Sequence, residues 1–180
     1  MSATTTTNIK QGDLISYSVK VNGSAIPESF QILSIKVIKA VNRISSASIV
    51  LLDGSASQES FPISSSSYFV PGNVISIEAG YNGQNQLIFK GIVTKQSLRV
   101  DDVIGSALTV ECKDQAVKMT VGRKSASFYN TTDSQVMTAL IAAYSGLSAK
   151  VTATSENLAA LVQYYCSDWD FMLSWAEING

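Results

Sequence analysis

The side chains able to do chemistry in this sequence are few, and histidine is not among them. None occurs in 180 residues, so Ser-His-Asp or Cys-His nucleophile activation, His-ligated zinc and imidazole proton shuttling are excluded within the chain. Carboxylates, cysteine and lysine remain. Asp168 and Asp170 are a candidate acid–base pair, but two positions apart on a helix they diverge by about 200° and do not converge on one substrate. Just after Ser167 they suit the positive end of a helix dipole instead. Asp101 and Asp102 could ligate a cation, yet a hard-cation site needs several more oxygens; with Gly105 they read as a turn. Cys112, in Glu111-Cys112-Lys113-Asp114, would need a base or a lowered pKa to act as a nucleophile. Without histidine it reads as a small core residue despite Lys113, and so does Cys166. Two cysteines are too few for a disulfide framework and fit a reducing compartment.

Other constellations are outweighed by their bland readings. Trp169, Phe171 and Trp175 could make an aromatic platform for sugar or peptide. Aromatics on an amphipathic helix more commonly serve a core or an interface. Lys113, Lys118, Arg123 and Lys124 form a mild basic cluster, but 13 basic against 14 acidic residues leave no footprint for nucleic acid. No glycine-rich phosphate loop occurs, and no cofactor or metal is expected.

The elements that must position these residues change character along the chain. Met1 to Gln11 is polar and threonine-rich and reads, to residue 12, as a loose arm with no signal-peptide core; no apolar run is long enough for a membrane helix. From Asp13 to Lys113 the period is two. Strands are expected at Leu14–Val21, Ile32–Val41, Ile44–Asp53, Val74–Tyr81, Leu87–Leu98 and Ala107–Lys113. Asn22-Gly23, Asn42-Arg43, Asp53-Gly54-Ser55, Pro71-Gly72 and Asn82-Gly83 punctuate them, and Ser55–Ser67 is a surface loop. Gly91, inside a strand, marks a bulge or a barrel corner. Strands joined by turns without helices argue for an antiparallel barrel or sandwich.

After about Gly122 the pattern becomes helical. Thr132 and Gln135 fit a capping box. Val136, Met137, Leu140, Ile141 and Tyr144 form a stripe, and Gly146 stands where a C-terminal cap belongs. Ala149–Ala153 reads as a short strand, and a second helix starts at Ser167 and ends at Gly180. The expected architecture is therefore mainly β with an α+β C-terminal part: residues 13–122 a β-barrel, residues 123–180 a helix-strand-helix piece too small to close a core of its own.

The run Leu161 to Gly180, containing Gln163-Tyr164, Ser167-Asp168-Trp169-Asp170-Phe171 and Ala176-Glu177, resembles a segment of the VgrG and Rhs-associated Vgr spike proteins. These belong to type VI secretion and related phage-tail-like contractile injection systems. Val50-Leu51-Leu52-Asp53-Gly54-Ser55, Phe69-Val70-Pro71-Gly72, Phe89-Lys90-Gly91-Ile92-Val93 and Glu111 to Arg123 resemble the same group, in matching order. The resemblance implies a tail-hub fold with a tail-tube-like barrel, and a structural rather than enzymatic role. It implies a homotrimer adapting a sixfold tube to a threefold spike, with tube proteins of Hcp type, baseplate proteins and spike-tip or effector proteins as partners. Assembly would take place in the cytoplasm before delivery in the particle. Asp53, Gly54, Pro71, Gly72, Gly91, Cys112, Lys113, Asp114, Asp168, Trp169, Asp170, Phe171, Glu177 and Gly180 are then structural motif residues. Two departures stand out: the family's second barrel and needle, its route to a target membrane, are missing, and Trp175 stands where an arginine is usual nearby. A carbohydrate- or peptide-binding β-domain of an adhesin is the alternative reading.

Overall fold

The computed structural model describes residues 14–54, 59–101 and 105–179. The N-terminal arm, Ser55, Asp102 and Gly180 lie outside the described residues. Among these residues nine strands and two helices follow in chain order, beginning with β1 (Ile15–Val21), β2 (Ser24–Ala25), β3 (Ile32–Ile38), β4 (Ser46–Leu52), β5 (Val74–Tyr81), β6 (Gln84–Asp101) and β7 (Gly105–Lys113). A 3-10 turn, Gln115–Thr120, leads to β8 (Lys124–Thr131), α1 (Asp133–Ala142), β9 (Leu158–Cys166) and α2 (Asp168–Ile178).

The first seven strands form one antiparallel sheet in the order β2-β1-β5-β6-β7-β4-β3. Strict alternation drives it. Along β4, Ala47, Ile49 and Leu51 are buried while their neighbours are half-exposed, and β7 buries Leu108, Val110 and Cys112 in the same way, because successive strand side chains point to opposite faces. The 18-residue β6 gives the sheet its curl. Its first half, to Ile92, pairs with β5, and its second half, from Ile92, pairs with β7. Register shifts lie at Ile77/Glu78 and Val93/Lys95 on either side of that changeover, and such bulges sharpen bend and twist. The sheet thus folds over a single core, with Val19, Val21, Ile75, Ile77 and Phe89 from one half against Ile49, Leu51, Leu108 and Val110 from the other. Ile63 and Phe69 of the β4–β5 connection plug it.

The C-terminal part departs from the expected helix-strand-helix order. It is β8-α1-β9-α2, with β8 and β9 paired antiparallel. Ala149–Ala153 is not a strand: Val151 instead faces Ser134 and Met137 of α1 across a groove. β8, with the sequence KSASFYNT, is too polar to announce itself, and β9, LAALVQYYC, is apolar on both faces. The piece does close a small core, of Val136, Leu140, Leu161 and Phe171. β3 ends at Ile38 rather than Val41. α1 begins as expected, with both halves of the Thr132–Gln135 capping box present, but its C-cap is Ala143; Gly146, at φ +87°, lies in the turn beyond.

Candidate functional site

Asp168 is a buried, heavily engaged ionisable side chain. α2 starts at this residue because Ser167 caps the helix, its hydroxyl accepting from the Asp170 N–H at 3.1 Å while donating to the Asp170 carboxylate at 2.6 Å. Asp168 then turns inward, 1% exposed. Its carboxylate accepts from the Tyr144 hydroxyl at 2.7 Å and Gln163 Nε2 at 2.9 Å, and pairs with Lys124 Nζ at 2.6 Å. Burial by itself would raise its pKa; the bonds from Lys124, Gln163 and Tyr144 and the lysine charge outweigh burial and hold it below the ordinary carboxylate range. Burial and the same carboxylate push the Tyr144 phenol up to about 12. β8, β9, the turn after α1 and the start of α2 are therefore tied at one buried carboxylate, both of whose oxygens are engaged, and that is a fastening. Asp170 points away, exposed, so the two acids do not converge.

A second knot lies at the far end of the same helices. Asp133, buried at the start of α1, accepts from the Thr154 hydroxyl, from Asn179 Nδ2 and from the Ser134 N–H at 2.7 Å. The Thr154 hydrogen bond leads in holding its pKa down, against burial. Sequence reasoning missed both knots' partners. Gln163, Lys124 and Tyr144 each stood in a pattern read for another purpose, and only an acid following a glutamine at the opening of a helix hinted at them.

In the β sheet the motif residues are also structural. Asp53 is fully buried and its two oxygens accept from the Ile63 and Ser64 N–H groups at 2.8 and 2.7 Å, folding the β4–β5 connection onto the core. Gly54 has φ +67°, and a Cβ there would fall 1.8 Å from the Ser60 carbonyl oxygen. At Gly91 a Cβ would meet the Lys113 carbonyl oxygen at 2.2 Å and the Phe89 ring at 2.7 Å, so the corner of β6 needs a bare backbone. Pro71-Gly72 makes the exposed turn before β5, with the Gly72 N–H bonded to the Val93 carbonyl at 2.8 Å. Cys112 is 1% exposed and its thiol is pushed up to about 12 by burial, which removes it as a nucleophile. Lys113 is exposed, and Asp114 caps the 3-10 turn by accepting from the Ala116 N–H at 2.9 Å.

The aromatic trio does not form a platform. Phe171 is buried, stacked on Phe128 with centroids 6.1 Å apart and set edge-on to Trp175, while Trp169 is half-buried. Glu177 is exposed and reaches Asn42 of the β3–β4 turn at 3.4 Å. The basic cluster disperses: Lys124 goes to Asp168, Lys118 to the Ser145 carbonyl at 3.0 Å, and Arg123 over the Tyr165 ring at 5.6 Å. Among the described residues no group of His, Cys, Asp and Glu could hold a metal ion. A 610 Å³ groove beside the β4–β5 connection is lined by Phe30, Leu52, Pro62 and Ile63 with serines, glycines and Gln31, and among the described residues no titratable side chain lines it. Apolar surface open to solvent includes the outer face of the β8–β9 ribbon (Tyr129, Val162, Tyr164) and the start of β1. No described helix is long and apolar enough to cross a membrane.

Solved structures share this fold. The 43 kDa tail protein of prophage MuSo2 from Shewanella oneidensis superposes with a TM-score of 0.67 at 11% identity, over 91% of this chain and 48% of its own. The E. coli c3393 protein, a component of the type VI secretion system, gives 0.60 at 12% identity, over 86% of this chain and 41% of its own. A Francisella PdpA–VgrG complex gives 0.58 at 15% identity, over 96% of this chain and 26% of the other. This chain spans less than half the length of each, and identities so low establish shared fold alone. No curated protein matches its sequence. The sequence profile of the Alg8 N-terminal domain, by contrast, matches residues 11–180, and the chain accordingly belongs to the Alg8 N-terminal domain family.

Proposed function

We propose that this chain is a structural hub component of a phage-tail-like contractile injection machine, acting by assembly rather than catalysis. The observation that carries the reading is the fold: a curled seven-stranded sheet followed by β8-α1-β9-α2, shared over 91% of the chain with a phage tail protein and over 86% with a type VI secretion component. The chemistry is consistent with it, since the motif carboxylates and glycines are spent on turns, caps and close backbone approaches. In this reading residues 13–122 are the tube-like module and residues 123–180 begin the next hub subdomain. The assembled protein is a homotrimer of VgrG type set between an Hcp-like tube, baseplate proteins and a spike carrying tip or effector proteins. It is made in the cytoplasm and leaves the cell within the particle, and it has no catalytic residue.

The test is to tag the protein in its native host and purify sheathed particles. Co-purification at one copy set of three per particle, with labelled antibody at the baseplate end, is the expected result. Absence from intact particles would refute the reading. The adhesin alternative draws on Tyr129 and Tyr164, exposed together on one ribbon face; selective binding on a glycan array would favour it.

A further inference from the structure

Residues 143–157 join α1 to β9 with neither strand nor helix. Connections of more than about 12 residues without structure of their own are uncommon in compact domains and usually serve a function. Both ends of this one are fixed. Near its start Lys118 donates to the Ser145 carbonyl at 3.0 Å, and the Gln115 side chain occupies the space where Gly146 would carry a Cβ. At its end Leu158 pairs with Thr131 of β8. Between these points the backbone of residues 148–153 makes no hydrogen bond to another described residue, despite the strand-like composition of that stretch. No residue from 148 to 157 is buried. Val151 lines two grooves along α1, one of 380 Å³ shared with Met137 and Ala176 and one of 420 Å³ shared with Ala139 and Ala142, so the segment lies over the helix without packing closely on it.

One clasp holds it down. The Thr154 N–H donates to Ser134 Oγ at 3.1 Å, and the Thr154 hydroxyl donates to the Asp133 carboxylate. Both acceptors are buried at the start of α1. When Thr154 leaves, Asp133 keeps the Asn179 amide and the Ser134 N–H, so the helix start retains its partners. A segment with few buried contacts and one polar fastening opens at low free energy. We infer that residues 147–157 are a strap over α1 that releases at Thr154 and lifts as a unit while α1, β9 and α2 stay folded. Lifting Val151 merges the two grooves into one apolar channel along α1. It also frees a strand-forming segment whose backbone groups have no partner in the closed form.

Limited trypsinolysis of the full 180-residue chain tests this, with cleavage after Lys150 read by mass spectrometry and amide exchange read at Thr154 and Leu140. Cleavage of a transiently open segment follows the population of the open form. Cleavage after Lys150 is expected to run faster than global unfolding, with the Thr154 amide exchanging while Leu140, inside α1, stays protected. Thr154→Val keeps the side-chain shape, removes the hydroxyl and raises that cleavage rate about tenfold, with Leu140 protection unchanged. Ser134→Ala, which removes the other acceptor, does the same should Thr154→Val misfold, folding being checked by circular dichroism. Cleavage no faster than global unfolding, a rate indifferent to both variants, or Thr154 and Leu140 exchanging together would overturn the proposal. The outcome is independent of the hub reading, which is tested on particles rather than on the purified chain.

Discussion

At the residue scale, the ionisable groups that look catalytic in the sequence are those the fold consumes. Asp168 is held charged inside the protein by three donors, so its folded pKa lies below the unfolded value of about 3.9. A depressed carboxylate contributes stability that is fully present above the unfolded pKa and is lost as pH falls through the folded one. Asp168→Asn is therefore expected to cost about 1–3 kcal/mol at pH 7, with the gap to wild type closing as the pH is lowered below about 4; urea midpoints across pH measure it. Cys112, with its thiol at about 12 and 1% exposure, should resist alkylation in the native protein at pH 8 and react once unfolded, as peptide mass spectrometry would register. Rapid native labelling of Cys112 would contradict the core assignment.

Elements here are decided by close approaches that only some residues permit. Gly91 lies where β6 leaves β5 for β7, and the Lys113 carbonyl occupies the space of a side chain. Gly91→Ala should destabilise by about 2 kcal/mol or more. Gly72→Ala has nothing within 4 Å of its Cβ and only its φ of +100° against it, so it should cost about 1 kcal/mol. Chemical denaturation of the two variants would reverse this order if the corner were not at Gly91. At α1, removing the Thr132 hydroxyl (Thr132→Ala) breaks the capping box and should cost about 1 kcal/mol.

For the whole molecule, the two cores are unequal. The sheet encloses one extended apolar cluster, whereas the C-terminal part rests on Val136, Leu140, Leu161 and Phe171 together with the Asp168 and Asp133 knots. Local stability follows buried apolar contact. Amide exchange should therefore reveal β8, α1, β9 and α2 opening at lower free energy than β4, β5 and β7, and Asp168→Asn should widen that difference. Uniform protection across both parts would mean that they unfold as one cooperative unit.

The β module was legible because its physics is local. Alternation with period two and Asn-Gly or Pro-Gly turns are written in consecutive residues, so β1, β5 and β7 lie where the pattern puts them, and the Thr132 cap announced α1. What could not be read were partnerships between distant positions. β8 is too polar and β9 too uniformly apolar to be recognised until each is the other's partner. Ala149–Ala153 has a strand's composition but no strand beside it. Asp168 resembled a helix-dipole residue until Lys124, Gln163 and Tyr144 surrounded it. Composition and spacing settled which chemistry the chain lacks and where its strands alternate; only the tertiary structure decided which buried groups meet, because burial and hydrogen-bond satisfaction belong to pairs brought together in space.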